Sequence, residues 1–229
     1  RTWGESESGL NERLFGVIEE LESVGNPTLA FLASGWEGIK VRLTAKAATR
    51  PEVVSILDEW EQKVRAAIGD IVFGIDDDTM ESVVLQMLRD RGLTLGLAES
   101  VTGGLVSGRL TNIAGASDVL RGAVVSYASE VKFDVLGVTN GPVVSPEAAV
   151  EMAVGAQRVL GADVALSLTG VAGPAEQEGQ RPGTLCIGVA LPNGVTASSV
   201  VQLPGARDQM RQLSVISALD FLRRQLRES

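Results

Sequence analysis

The chain contains no histidine and a single cysteine, Cys186, so any catalytic proton must move through Lys, Tyr, Asp, Glu or bound water. Imidazole triads, histidine-containing zinc sites and CxxC redox pairs are excluded by residue type alone. Four stretches remain. Glu99-Ser100-Val101-Thr102-Gly103-Gly104 reads as a corner between a strand and a helix. Such corners bring ligands to strand ends, and the free N–H groups of a helix start can hold an oxyanion or a phosphate. Ser100 is either a nucleophile or an N-cap, and by residue type alone the N-cap comes first. Ser126-Tyr127-Ala128-Ser129-Glu130-Val131-Lys132 carries the only tyrosine and the only lysine beyond Lys63. A lysine held neutral can replace histidine as base for a serine, provided its pKa falls well below about 10.4. The alternative is a surface lysine beside a core tyrosine. Thr169-Gly170-Val171-Ala172-Gly173-Pro174 permits close backbone approach to a ligand, or is an ordinary loop. Arg207 and Arg211, one helical turn apart, could grip a phosphate together or simply be solvated. Gly103 to Gly108 has GxxxxG spacing, but Arg109-Leu110 stands where a P-loop needs Lys-Ser/Thr.

The elements that must position these residues follow from periodicity and punctuation. A helix is expected over 10–24, ended by Gly25-Asn26-Pro27, then strands over 28–33 and 39–45. A second helix opens at Thr49-Arg50-Pro51 and stops at Gly69, and a short strand over 71–75 reaches Asp76-Asp77-Asp78. Beyond it, helices are expected over 80–91, up to Thr111, over 130–136, from Ser145 to Gly161 and over 206–226. Strands are expected over 93–98, 122–128 and 163–169, with a hairpin of 184–191 and 195–203 across Pro192-Asn193-Gly194. The alternation predicts an α/β fold, a three-layer α/β/α sandwich with a mostly parallel sheet, preceded by a small α+β domain. The expected divisions are a polar segment 1–9, a small domain 10–75, an acidic linker 76–79 and a larger domain 80–229.

The 229 residues carry 29 acidic and 20 basic side chains and are 45% hydrophobic, enough to bury a core. Residues 1–78 hold 15 acidic against 8 basic groups, and the remainder 14 against 12. Neither part has the basic footprint that a phosphate backbone requires, so nucleic acid is not an expected partner. No apolar run approaches the roughly 18 residues of a membrane span, and the acidic start is no signal peptide. The chain begins at Arg1 without an initiator methionine, as expected of a fragment or a processed product.

Taken together, Ala98-Glu99-Ser100-Val101-Thr102-Gly103-Gly104, Tyr127 through Lys132, Thr169-Gly170-Val171-Ala172-Gly173-Pro174 and Gly183-Thr184 closely resemble the C-terminal domain of the CinA family of competence/damage-inducible proteins. That domain also occurs alone as nicotinamide mononucleotide (NMN) deamidase. Asn26-Pro27-Thr28 and Val41-Arg42-Leu43-Thr44-Ala45-Lys46 resemble the KH-type domain that precedes it in full CinA proteins. The large N-terminal domain to which the family's nucleotide pyrophosphatase activity belongs has no counterpart here. The resemblance implies an amidohydrolase of pyridine-nucleotide salvage and NAD metabolism, cytoplasmic and homodimeric or of higher homo-oligomeric order. It would convert NMN and water to nicotinate mononucleotide and ammonia without metal or cofactor. By position, Ser100 would be the nucleophile, Lys132 its base and Tyr127 a partner that relays or orients the proton. Val101, Thr102, Gly103 and Gly104 would surround the oxyanion, Thr169, Gly170, Ala172 and Gly173 would line the substrate, and Arg207 or Arg211 would meet its phosphate. Where the family pattern has Cys and Asn, this chain has Val101 and Ser129, and a weakened activity is what these departures imply. The alternative is a non-catalytic nucleotide-binding or assembly module. RNA binding ranks third, since the small domain is acidic and lacks a GXXG loop.

Overall fold

The computed structural model describes residues 1–33 and 35–228 and divides into two compact units, one spanning residues 1–79 and one from Met80 onward. In the first, Ser6 caps α1 (Glu7–Arg13) by accepting from the Gly9 amide at 3.0 Å. Leu14 then leaves helical geometry, and α2 (Phe15–Val24) runs to Gly25, whose φ of 76° closes it. The single helix expected over 10–24 is therefore two, and it starts earlier because the cap lies at Ser6. Strands β1 (Thr28–Ala33) and β2 (Ile39–Thr44) pair antiparallel, from Thr28↔Thr44 to Ala33↔Ile39. Helix α3 (Arg50–Ile68) opens on a capping box between Thr49 and Glu52 with Pro51 in its first turn. Leu10, Leu14, Val64, Ile68 and Ile71 form the core, against which Phe31, Ile39 and Val41 of the strands pack.

The strand expected over 71–75 is reduced to a bridge, Thr2↔Val72, with Thr2↔Ile39 bridged on its other side. Pairing ends there because Asp78 folds residues 75–78 into a turn. Its amide donates to the Ile75 carbonyl and its carboxylate accepts from the Ile75 amide, each at 2.8 Å. The polar start of the chain is not a detached segment. Thr2 is buried, and the α-amino group of Arg1 donates to the Gly74 carbonyl at 3.0 Å.

The second unit runs α4 (Met80–Asp90), β3 (Leu95–Glu99), α5 (Leu105–Thr111), β4 (Leu120–Val125) and α6 (Ser129–Val131), which passes into a π-helical turn at Lys132–Leu136. Then follow α7 (Pro146–Leu160), β5 (Val164–Gly170), β6 (Thr184–Ala190), β7 (Thr196–Gln202) and α8 (Arg207–Glu228). The sheet order is β4-β3-β5-β6-β7. β3 is parallel to both β4 and β5, while β6 is antiparallel to β5 and β7, so only β6 runs against the rest. Helix α7 covers one face of this mostly parallel sheet, and α4, α5 and α8 pack together on the other. The connections β3-α5-β4 and β4-α7-β5 leave in opposite directions, which opens a crevice at the carboxyl ends of the strands.

Small residues bring α7 close to the sheet. Ala148, Ala149, Ala153 and Ala156 are buried on it, and Gly188 of β6 meets the Ala149 carbonyl where a Cβ would collide. The Ser167 hydroxyl of β5 donates to that same carbonyl. β4 stops at Val125, short of the expected 128, so Ser126 and Tyr127 lie beyond the sheet. Among the described residues, no helix is long and apolar enough to cross a membrane.

Candidate active site

The parallel strands deliver their carboxyl ends to one cleft of about 350 Å³. β3 leads to Ser100 and Val101, β4 to Tyr127, Ser129 and Lys132, and β5 to Thr169 and Gly170, all of which line it. Val171, Ala172, Gly173 and Arg207 line it too. Residues 27 and 32 positions beyond Ser100 thus line the same cleft because neighbouring strands end side by side.

Ser100 is nearly buried, with its amide bonded to the Leu168 carbonyl at 3.0 Å. It is not the N-cap of α5, a position occupied by Gly104. Capping is done by Glu99, fully buried at the end of β3. Its carboxylate accepts from the amides of Gly104 and Val106 at 3.0 Å each and of Ser107 at 2.8 Å. A negative charge at a helix start is well placed both by its hydrogen bonds and by the helix dipole. The turn itself needs glycine, with φ of 61° at Gly103 and 96° at Gly104.

Glu99 and the turn correct the expectation that all amides of 101–104 are available. Gly103 donates to the Ser100 carbonyl at 3.0 Å and Gly104 to Glu99. Among the described residues, the amides of Val101 and Thr102 remain the turn's uncommitted donors. Thr102 is fully buried, and its hydroxyl has no partner among the described residues. Arg211 is likewise not a phosphate ligand of the cleft. Its guanidinium donates to the carbonyls of Val101 at 3.3 Å and Thr102 at 2.7 Å. In a planar trans peptide the N–H points opposite to the C=O, so holding the Val101 carbonyl turns the Thr102 amide away from Arg211.

Lys132 is 1% exposed, at the first position of the π-helical turn. Its Nζ donates to the Ser126 carbonyl at 2.7 Å. Burial pushes its pKa below the ordinary lysine value, opposed by the charges of Glu178 and Glu130. The surface-lysine reading is therefore overturned. The core-tyrosine reading falls as well, because Tyr127 is 60% exposed and its hydroxyl accepts from Arg207 Nη2 at 2.8 Å. Arg207 also donates to the Gly173 carbonyl at 2.9 Å, tying the glycine loop to the tyrosine. The Thr169 hydroxyl donates to the Val143 carbonyl at 2.7 Å, so it braces the cleft wall.

Sequence reasoning missed Val143, Val144, Glu176 and Gln177, which also line the cleft. They lie on loops, and nothing in their local spacing marks them. Glu99 had a readable signal, an acidic residue a few positions ahead of a helix start.

A family profile described as the CinA C-terminal domain matches residues 77–226, and one described as the damage-inducible protein CinA KH domain matches residues 1–74. A CinA-like protein of Frankia casuarinae is 47% identical over 99% of this chain and 53% of its own length. A CinA-like protein of a Synechococcus species is 42% identical over 98% of this chain and 54% of its own. The chain spans about half the length of these curated relatives. Among solved structures, the competence/damage-inducible protein CihA of Agrobacterium tumefaciens is similar, with a TM-score of 0.61 and 31% identity. The match covers 65% of this chain and 93% of that one. The competence damage-inducible protein A of Klebsiella pneumoniae gives 0.62 and 29%, over 65% and 95%. With a KH-type unit followed by the C-terminal domain, this chain belongs to the CinA family.

Proposed function

We propose that the unit from Met80 onward is a nicotinamide-nucleotide amidohydrolase that converts NMN and water to nicotinate mononucleotide and ammonia. The observation that carries this reading is a serine and a buried, pKa-lowered lysine on the walls of one cleft at the strand ends. A cleft of about 350 Å³ lies within the range that small ligands occupy. Neutral Lys132 takes the proton of Ser100 as Oγ attacks the carboxamide carbon. The amides of Val101 and Thr102, the latter oriented by Arg211, hold the oxyanion, a contribution of about 3–4 kcal/mol per donor in comparable sites. Collapse breaks the C–N bond, and the lysinium returns its proton to the departing ammonia. A water then attacks the acyl-serine and gives one proton to Lys132, which passes it to Ser100 Oγ as the C–Oγ bond breaks, restoring both residues. Tyr127 orients the proton traffic, and Arg207, exposed at the cleft, meets the nucleotide phosphate.

The test is incubation with NMN while following ammonia and nicotinate mononucleotide. Ser100→Ala and Lys132→Ala are each expected to reduce turnover by at least about a thousand-fold, as removal of a nucleophile or its base does. Turnover that survives both substitutions sinks the mechanism. Tight binding of NMN without any turnover by the wild type supports a nucleotide-binding module instead.

A further inference from the structure

Beyond the residues of the proposed chemistry, one carboxylate is placed unusually. Gln177 and Gln180 exchange backbone hydrogen bonds at 3.1 and 2.8 Å, which makes Glu178 and Gly179 the central pair of a tight turn. Their φ values are 54° and 76°, both in the left-handed region. Such a pair favours Asn-Gly or Gly-Gly, and glutamate is poorly suited to it. The side chain supplies the reason. Glu178 Oε2 accepts from the Val143 amide at 2.8 Å and the Val144 amide at 3.0 Å, across 35 and 34 positions of sequence. Val143 is then held from both sides, since its carbonyl takes the Thr169 hydroxyl at 2.7 Å. Val143, Val144 and residues 173–177, the stretch leading into the turn, line the same cleft as Ser100 and Lys132.

We propose that Glu178 is a positioning residue of the cleft: its carboxylate fastens the 174–183 loop onto Val143 and Val144, which line the cleft together with Lys132. Only the catalytic arm of the proposal rests on the amidohydrolase reading. The charge has a defined effect. Glu178, with Glu130, favours the protonated lysine against the burial that disfavours it. The other titratable groups around Lys132 are Tyr127, Glu176 and Arg207 in the cleft, Asp134 on its own turn, and Glu147, Glu151 and Arg158 on the packed α7. Of these, Glu151 is engaged by Thr139, and Arg158 by the carbonyls of Val135 and Leu136.

Two variants separate the latch from the charge. Glu178→Gln keeps an acceptor oxygen and loses the charge, whereas Glu178→Ala loses both. Amide exchange at Val143 and Val144 is expected to speed up by about ten-fold or more in Glu178→Ala and to stay near wild type in Glu178→Gln. Lysine Cε chemical shifts, followed against pH in a chain with only four lysines, are expected to show Lys132 titrating at lower pH in Glu178→Gln. Unchanged exchange in Glu178→Ala overturns the latch, and an unmoved Lys132 titration in Glu178→Gln overturns the charge effect. Both readouts need no substrate. With NMN, Glu178→Ala is expected to raise KM several-fold and change kcat less. A wild type that turns over no NMN overturns the amidohydrolase reading and leaves exchange and titration to decide on Glu178.

Discussion

In the proposed mechanism Lys132 carries the largest burden at the residue scale, because a base must be neutral before it can accept a proton. Its pKa is lowered by burial, so turnover of NMN is expected to fall as pH drops below that lowered value, tenfold per pH unit at the limit. A rate profile that stays flat into mildly acidic pH, with chemistry rate-limiting, would remove Lys132 from the base role. The same shift acts on stability with a defined sign. A lysine whose folded pKa lies below its ordinary 10.5 costs the fold free energy at every pH beneath the folded value. That cost shrinks as pH rises toward 10.5 and vanishes above it. Melting curves of the wild type and Lys132→Met are therefore expected to converge between the folded pKa and about pH 10.5, the variant being favoured at the lower end. Cys186, by contrast, is pushed up to about 11 by burial among Val143, Val144, Ala149 and Val171, and stays a thiol at neutral pH.

Elements set these residues in place through a few contacts that substitutions can remove. Helix α5 starts on the Glu99 carboxylate, with three amides of its first turn bonded to it. Glu99→Ala leaves them without that partner in a buried site, and a loss of about 3 kcal/mol or more is expected from urea unfolding. Glu99→Gln retains one acceptor and is expected to lose less. The π-helical turn that carries Lys132 is held by α7, where Gly155 meets the Leu136 backbone with no room for a Cβ. Gly155→Ala must push the turn aside, so a stability loss of about 1–3 kcal/mol is expected together with a fall in NMN turnover. Unchanged turnover in a destabilised Gly155→Ala would show that Lys132 tolerates movement of its turn. Much of this element layer was legible beforehand. The helix from Ser145, the hairpin of β6 and β7 and the last helix lie within a few residues of their expected bounds, since their periodicity and punctuation are strong. The weaker cases failed for physical reasons. The 71–75 run had the composition of a strand, but Asp78 turns the chain before a ladder can form. The 10–24 helix was read from apolar spacing, which cannot see the break at Leu14.

For the whole molecule, the division near residue 80 makes a prediction of its own. The similar solved structures from Agrobacterium tumefaciens and Klebsiella pneumoniae are covered almost entirely by about two-thirds of this chain, the size of the unit from Met80 onward. A fragment of residues 80–229 is therefore expected to unfold in one cooperative transition and to hydrolyse NMN at the rate of the whole chain. A fragment that folds but is inactive would place part of the catalytic requirement in residues 1–79. The chain spans about half the length of the curated relatives, so the activity of a full-length relative is a separate question from that of this unit.

The sequence by itself determined which chemistry was possible and where along the chain it lay. With no histidine, a serine at a strand-to-helix corner, the one tyrosine at a strand end and the one lysine of the helix that follows it stood out as candidates, at places the periodicity could locate. Residue types and turn signals are local properties, and they survive in a linear reading. Only the tertiary structure decided what each side chain faces. It buried Lys132 against the Ser126 carbonyl, gave Glu99 to a helix start, aimed Arg211 at two carbonyls and brought Glu178 to Val143 and Val144. These pairings join segments separated by as many as 110 positions, and only the packing of the sheet and its helices sets such distances.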